Sequence, residues 1–183
     1  MKIRKILAIA FMLLPLLVMG QNTGGEIRRP VRTNTNRVNN KPARQEIDYN
    51  TYNTALVEKA ESGDANAQYK LGDCYYYGNG ISQNYIEAVE WYSKAANQGN
   101  IYAQYNLGTC YEYDHGVTTQ DYEKAFEWYT KAAEQGNARA QYYLGNCYNY
   151  SRGVAQDYTK AIEWYSKAAD QGDEDAIKIL KTL

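Results

Sequence analysis

AQYKLGDCYYYGNG at residues 67–80, AQYNLGTCYEYDHG at 103–116 and AQYYLGNCYNYSRG at 140–153 are three copies of one phrase. Each is followed by a second recurring phrase: EWYSKAANQG at 90–99, EWYTKAAEQG at 127–136 and EWYSKAADQG at 163–172. The first phrases start 36 and 37 residues apart, whereas Trp91, Trp128 and Trp164 are spaced by 37 and then 36. The extra residue of the middle unit therefore falls within 117–120, in a connection between helices, where an insertion is tolerated. Self-similarity at this period signals a solenoid whose units cannot bury their apolar faces alone and must share one continuous core.

Both phrases have helical periodicity. Ala67, Leu71 and Tyr75 recur at i, i+4 and i+8; Ala88, Trp91, Tyr92, Ala95 and Ala96 recur at i, i+3, i+4, i+7 and i+8. Asn84, Asp121 and Asp157 stand where an N-cap precedes the second helix, and Gly99, Gly136 and Gly172 where a left-handed residue ends it. Asn100, Asn137 and Asp173 then cap the next first helix. Glu90–Lys94, Glu127–Lys131 and Glu163–Lys167 are i, i+4 pairs in the favourable order. Gly72, Gly108 and Gly145 lie inside the first helix, where glycine costs about 1 kcal/mol relative to alanine. Their recurrence implies close approach of the paired helix, with its Trp and Tyr filling the space of the missing side chain. At the ends, Thr51–Ser62 reads as a lone second helix and Asp175–Leu183 as a lone first helix, two half-repeat caps.

The order A-x-x-x-L-G-x-x-Y-x-x-G-x-G followed by A-x-x-W-Y-x-x-A-A-x-x-G resembles the Sel-1-like repeats, relatives of the tetratricopeptide repeats, over roughly residues 51–183. Asp114 and Ser151 replace the first glycine of the inter-helix loop, and Asn84 replaces its later aspartate. The resemblance implies an all-α fold, an α/α superhelix of helical hairpins with three full repeats (about 67–102, 103–139 and 140–175) within a solenoid at 48–183. It also implies an adaptor whose partners differ from member to member.

Twenty of the 183 residues are tyrosine. Residues 1–47 hold nine Lys and Arg against two acids, leaving eleven bases against nineteen acids in residues 48–183, a formal charge of −8. An acidic folded part argues against a nucleic-acid partner, which demands a basic face. Lys2, Arg4 and Lys5, the apolar run Ile6–Val18, and Gly20 ahead of Gln21 have the plan of a signal peptide at 1–20. The apolar run is shorter than the roughly 20 residues of a spanning helix, so the expectation is an exported, periplasmic or secreted mature form without a transmembrane span. Residues 21–47 lack either periodicity and read as a disordered basic linker, whose Arg28, Arg29, Arg32, Arg37, Lys41 and Arg44 either meet an anionic envelope surface or serve only solvation.

Nothing points to a cofactor or metal. His115 is the one histidine, in a loop beside Asp114, and no His pair, Ser–His or Cys–His arrangement is evident. Cys74, Cys110 and Cys147 occupy one place on successive first helices, about 10 Å apart by helix-packing distance, which exceeds what a disulfide spans. They read as small buried apolar residues, whereas exported relatives with two Cys per repeat pair them within it. Those relatives' link to penicillin makes a β-lactam-type hydrolase the enzymatic alternative, but no S-x-x-K occurs here. Asp73 and Glu112 are the carboxylates a glycosidase reading would use. The expectation is a non-catalytic protein-interaction adaptor; a glycan or peptidoglycan binder is the alternative.

First helices of such hairpins line the concave side. The stripe beside their apolar positions varies between units: Asn66, Lys70, Asp73 and Tyr77; then Tyr102, Asn106, Thr109 and Tyr113; then Arg139, Tyr143, Asn146 and Tyr150. Within it Tyr77, Tyr113 and Tyr150 stay constant, either as an aromatic ladder for an extended peptide or glycan or as packing against the inter-helix loop. Tyr69, Tyr105 and Tyr142 are expected to pack between repeats.

Overall fold

The computed structural model describes residues 50–182, all within one compact unit. The leader and the linker read from the sequence lie outside these residues. Eight helices follow in order: α1 (Thr54–Glu61), α2 (Ala65–Tyr77), α3 (Tyr85–Asn97), α4 (Ile101–Tyr113), α5 (Tyr122–Glu134), α6 (Ala138–Tyr150), α7 (Tyr158–Asp170) and α8 (Glu174–Leu180). No strand occurs among the described residues.

The boundaries follow from the caps. Asn84 Oδ1 accepts from the Ile86 and Glu87 amides, and Asp121 and Asp157 accept from Lys124 and Lys160. Asp64, Asn100, Asn137 and Asp173 cap the first helices in the same way. At the other end Gly99 (φ +87°), Gly136 (+92°) and Gly172 (+88°) are left-handed, and the amides of Gly99 and Asn100 return to the carbonyls of Ala96 and Ala95. Asp114 (φ +61°) and Ser151 (+57°) adopt the left-handed conformation that Gly78 (+75°) takes in the first unit, so the departures from the repeat pattern leave the loop shape unchanged. The amides of Asn84, Asp121 and Asp157 donate to the carbonyls of Tyr75, Tyr111 and Tyr148, and the extra residue of the middle unit is absorbed between these closing points.

Each helix packs mainly on its neighbours in chain order. The core is divided into four clusters, and each joins a second helix to the first helix of the following unit. One comprises Ala88, Tyr92, Ala95 and Ala96 of α3 with Ala103, Leu107 and Cys110 of α4. Clusters α5–α6, α1–α2 and α7–α8 repeat it. Within a hairpin the contact is different: a Cβ added to Gly72, Gly108 or Gly145 would lie 2.5, 2.7 or 2.6 Å from the ring of Tyr92, Tyr129 or Tyr165. The tyrosine, fully buried, thus holds three helices together. A buried glutamine in each unit adds to this: Gln68, Gln104 and Gln141 donate to the carbonyls of Ala60, Ala96 and Ala133 and accept from Gln98, Gln135 and Gln171.

Two expectations need correction. The tryptophans are not core residues; they are partly buried, and each covers the cluster of the preceding unit, as Trp128 covers α3–α4. Period alone places Trp and the adjacent Tyr on one face, but only the Tyr points at the glycine. Nor do the Glu–Lys pairs form among the described residues. Lys94, Lys131 and Lys167 instead place their ammonium groups 3.8 Å from the ring centroids of Trp91, Trp128 and Trp164.

Tyr129→Ala is therefore expected to destabilise the fold by about 3–5 kcal/mol, and Trp128→Ala by less, about 1–3 kcal/mol, since Trp128 covers a cluster from outside and keeps part of its surface in water. Denaturant titration of the two variants checks the order.

Candidate binding face

The side chains of the varying stripe lie along α2, α4 and α6. Tyr77, Tyr113 and Tyr150 close these helices and are 62%, 47% and 56% exposed. Tyr102 and Arg139 are also exposed; Lys70, Asp73, Asn106, Thr109 and Tyr143 are half-buried. Asn146 departs from the reading: it is buried, and its Oδ1 accepts the Tyr165 hydroxyl at 2.7 Å, which makes it a core acceptor instead of a contact residue.

That bond has counterparts in the other units. The Tyr92 hydroxyl donates to Asp73 Oδ1 at 2.7 Å, and the Tyr129 hydroxyl to Glu112 Oε2 at 2.7 Å. A buried phenol requires an acceptor, and the residue following the helical glycine provides one in units one and three. In the middle unit that residue is Thr109, whose Oγ1 lies 3.4 Å from the Tyr129 hydroxyl, too long for a strong bond, and Glu112 takes over. Glu112 is 2% exposed, and Arg152, from the loop of the next unit, meets its Oε1 at 2.6 Å. The corresponding loop position of the middle unit is His115, whose Nδ1 lies 2.7 Å from the Tyr76 hydroxyl and whose ring stacks on Tyr85 at 4.8 Å. Neither pair was anticipated, because partners 39 or 40 residues apart are evident only once the units are stacked. Burial drives the Cys110 and Cys147 thiols up to about 12, so neither is a nucleophile at neutral pH.

The face is rich in ring contacts. Tyr69 lies 5.7 Å from Tyr102 of the next unit, Tyr105 lies 5.8 Å from Tyr143, and Tyr143 stacks on Tyr129 at 5.2 Å. Arg139 sits beside Tyr143 and bonds Asp173 and Asp175 at 3.1 and 2.8 Å. A cavity of about 60 Å³ opens between α2 and α4, lined by Tyr76, Tyr77, Tyr105, Asn106 and Thr109. Behind it, Asp73 Oδ1 accepts from Asn106 Nδ2 at 3.2 Å. Withdrawal from water holds the Asp73 carboxyl above the ordinary carboxylate value, with the Tyr92 hydroxyl opposing the shift. The two carboxylates of the glycosidase reading each have their own partners within the fold. Among the described residues no cluster of His, Cys, Asp and Glu could hold a metal ion.

Three consecutive copies of the Sel1 repeat match the chain, at residues 65–100, 101–137 and 138–173. The chain belongs to the Sel1-repeat family. A Sel1 repeat protein from Oxalobacter formigenes is 43% identical, with a TM-score of 0.65, over 70% of this chain and 96% of the other. The c5321 protein of uropathogenic Escherichia coli, a protective antigen with the SLR fold, is 37% identical at a TM-score of 0.64; the match covers 66% of this chain but 26% of that one. Helicobacter pylori cysteine rich protein B is 25% identical, with a TM-score of 0.54, over 68% of this chain and 89% of the other. No curated protein sequence matches significantly. Sel1 repeats generally form non-catalytic scaffolds that mediate protein interactions, and among the described residues no helix is long and apolar enough to cross a membrane.

Two outcomes follow from the buried carboxylates. Arg152→Ala leaves Glu112 charged without its cation and is expected to destabilise by up to about 3 kcal/mol, with Glu112→Gln restoring most of the loss; thermal melts of single and double variants measure this. Asp73→Asn retains an acceptor for Tyr92, as Asn146 does for Tyr165. Because the Asp73 carboxyl is raised in the fold, ionising it opposes folding: the cost is absent below the unfolded carboxylate value near 3.8 and grows as pH rises through the folded one. Asp73→Asn is thus expected to match the parent's melting temperature at pH 3 and to equal or exceed it at pH 7.

Proposed function

We propose that the chain is an exported adaptor of the cell envelope that binds a protein partner on the side lined by α2, α4 and α6, the concave side in helical-hairpin solenoids. The observation that carries this reading is the constancy of Tyr77, Tyr113 and Tyr150 at positions outside the buried core: all three are about half exposed at the end of a first helix, with their other halves against Tyr76, His115 and Arg152. Large, exposed aromatic side chains repeated at one step suit an extended peptide, since each offers an apolar ring and a hydrogen-bonding tip. Lys70 and Asp73 differ from their counterparts in the other units and would set which partner is accepted. Export is supported by the arrangement of residues 1–20 alone, and mature material in this reading begins near Gln21.

Replacing Tyr77, Tyr113 and Tyr150 together by alanine is expected to weaken partner capture from envelope extracts by at least 2 kcal/mol, roughly thirtyfold, with little change in melting temperature. A sharp fall in melting temperature would identify the three as packing residues. Retention on insoluble cell-wall material, with no protein captured, would put a glycan in the partner's place.

A further inference from the structure

Of the loops that follow the first helices, one is left uncovered. Arg152 reaches back from the third unit's loop to Glu112 on α4, and His115 from the second unit's loop to Tyr76 on α2, so both are half-buried. The same place in the first unit is Asn79, between Gly78 and Gly80. A lone second helix, α1, precedes this unit, and among the described residues no first helix lies behind the loop for Asn79 to meet. Asn79 and Gly80 are accordingly exposed, and among the described residues neither the Asn79 side chain nor the Gly80 amide makes a hydrogen bond. The main chain of Asn79 is held: its amide donates to the carbonyl of Cys74 at 2.9 Å, and its carbonyl accepts from the Tyr52 amide at 3.1 Å.

We infer that Asn79 is a site of self-modification, at which the folded chain converts asparagine to aspartate and isoaspartate through a cyclic imide. Hydroxide removes the Gly80 amide proton, the nitrogen attacks Asn79 Cγ to close the imide ring, and the Cγ–NH2 bond breaks. The amide leaves as ammonia, with a proton taken from water that regenerates the hydroxide. Water then adds to one imide carbonyl and breaks its bond to the Gly80 nitrogen, which regains a proton. Opening at Cγ gives aspartate; opening at the main-chain carbon gives isoaspartate, with the chain now running through the side chain. The sum is asparagine and water to acid and ammonia, with no oxidant or other reactant.

The sequence and the loop together select this residue. Asn79 alone of the asparagines precedes a glycine, whose missing Cβ leaves the nitrogen open to attack. Gly78 (φ +75°) and Gly80 (+77°) flank it, so no neighbouring side chain resists the rotation that brings Cγ onto the nitrogen. Asn100 and Asn137, by contrast, have their side-chain oxygens committed to helix amides, and His115 and Arg152 remove the reaction from the other two loops. Isoaspartate lengthens the main chain by a carbon and turns the acceptor of the Tyr52 amide into a branch carboxylate. Gly80 lies close against Thr51 and Tyr52, so the contact between this loop and the segment leading into α1 loosens.

The test incubates the full folded chain in heavy-oxygen water at pH 6 and pH 9 and maps tryptic peptides by mass. The peptide 71–94 holds Asn79 together with Asn84, an internal reference that precedes tyrosine. Asn79 is expected to take up one solvent oxygen roughly tenfold or more faster than Asn84, faster at pH 9 than at pH 6, with isoaspartate in excess of aspartate. Asn79→Gln, whose longer side chain closes a ring far less readily, is expected to abolish the conversion at unchanged melting temperature. In the converted chain the Tyr52 amide is expected to exchange with solvent faster than in the parent. Conversion of Asn79 in urea but not in the folded chain, or at the same rate as Asn84, would overturn the assignment. Conversion without any change at the Tyr52 amide would overturn the loosening of the loop.

Discussion

A tyrosine ring seated on a glycine holds each hairpin together, and the remaining geometry depends on that contact. Tyr92, Tyr129 and Tyr165 occupy the space a side chain at Gly72, Gly108 or Gly145 would fill, and no substituent can be added there without displacing a ring enclosed on every side. The same rings belong to the clusters that bind the next unit's first helix. One side chain thus sets both the spacing within a hairpin and the step to its neighbour. This explains how the first helix accommodates a residue that costs about 1 kcal/mol of propensity three times over: the contact it permits recovers more than that in buried aromatic area.

Burying a phenol creates a second constraint, since its hydroxyl must find an acceptor. Each unit solves this in its own way, with Asp73, Glu112 or Asn146, and the solution determines the charge left near the surface. The neutral amide of the third unit requires nothing further. Glu112 brings a full charge into the interior and recruits Arg152 from the following loop, which ties units two and three electrostatically. Asp73 remains closer to solvent and relies on neutral donors. A requirement of the core thereby reaches the outer face as a difference between otherwise similar repeats.

Much of this architecture was legible because helix boundaries are chemically local. Asn84, Asp121 and Asp157 announce the second helices, and a residue count between recurring tryptophans locates the insertion without any structure. Less legible was anything that depends on direction around a helix. Trp128 and Tyr129 are adjacent and both suit the apolar stripe, yet the first shields the preceding α3–α4 cluster beneath a lysine and the second lies inside the α5–α6 cluster. Asn146 likewise shares a stripe with exposed residues but is rotated just far enough inward to meet Tyr165. A usable signal existed for it: an acceptor of some kind follows Leu-Gly in every unit, as a buried hydroxyl across the hairpin demands. Arg152 and Glu112 offered no such signal, since only stacking brings a loop of one unit onto the preceding helix.

A solenoid with nearly identical units has a difficulty that a single-site protein lacks. If its binding face were strictly periodic, an extended partner would fit equally well after sliding by one repeat, and no register would be preferred. The tyrosine series at 77, 113 and 150 is periodic in this sense and can supply contact area without supplying register. Register must come from residues that break the repeat, and on this face they are charged or polar: Lys70 against Asn106 and Tyr143, Asp73 against Thr109, and Arg139 against Asn66 and Tyr102. Arg139 is engaged by Asp173 and Asp175, and Glu112 by Arg152, so both are largely spent on the protein itself. Lys70 and Asp73 are the repeat-breaking charges of this face without an ion-pair partner among the described residues, and a partner displaced by one repeat would meet the uncharged Asn106 and Thr109 instead. Discrimination between registers then arises from the cost of the wrong pairing as much as from the gain of the right one.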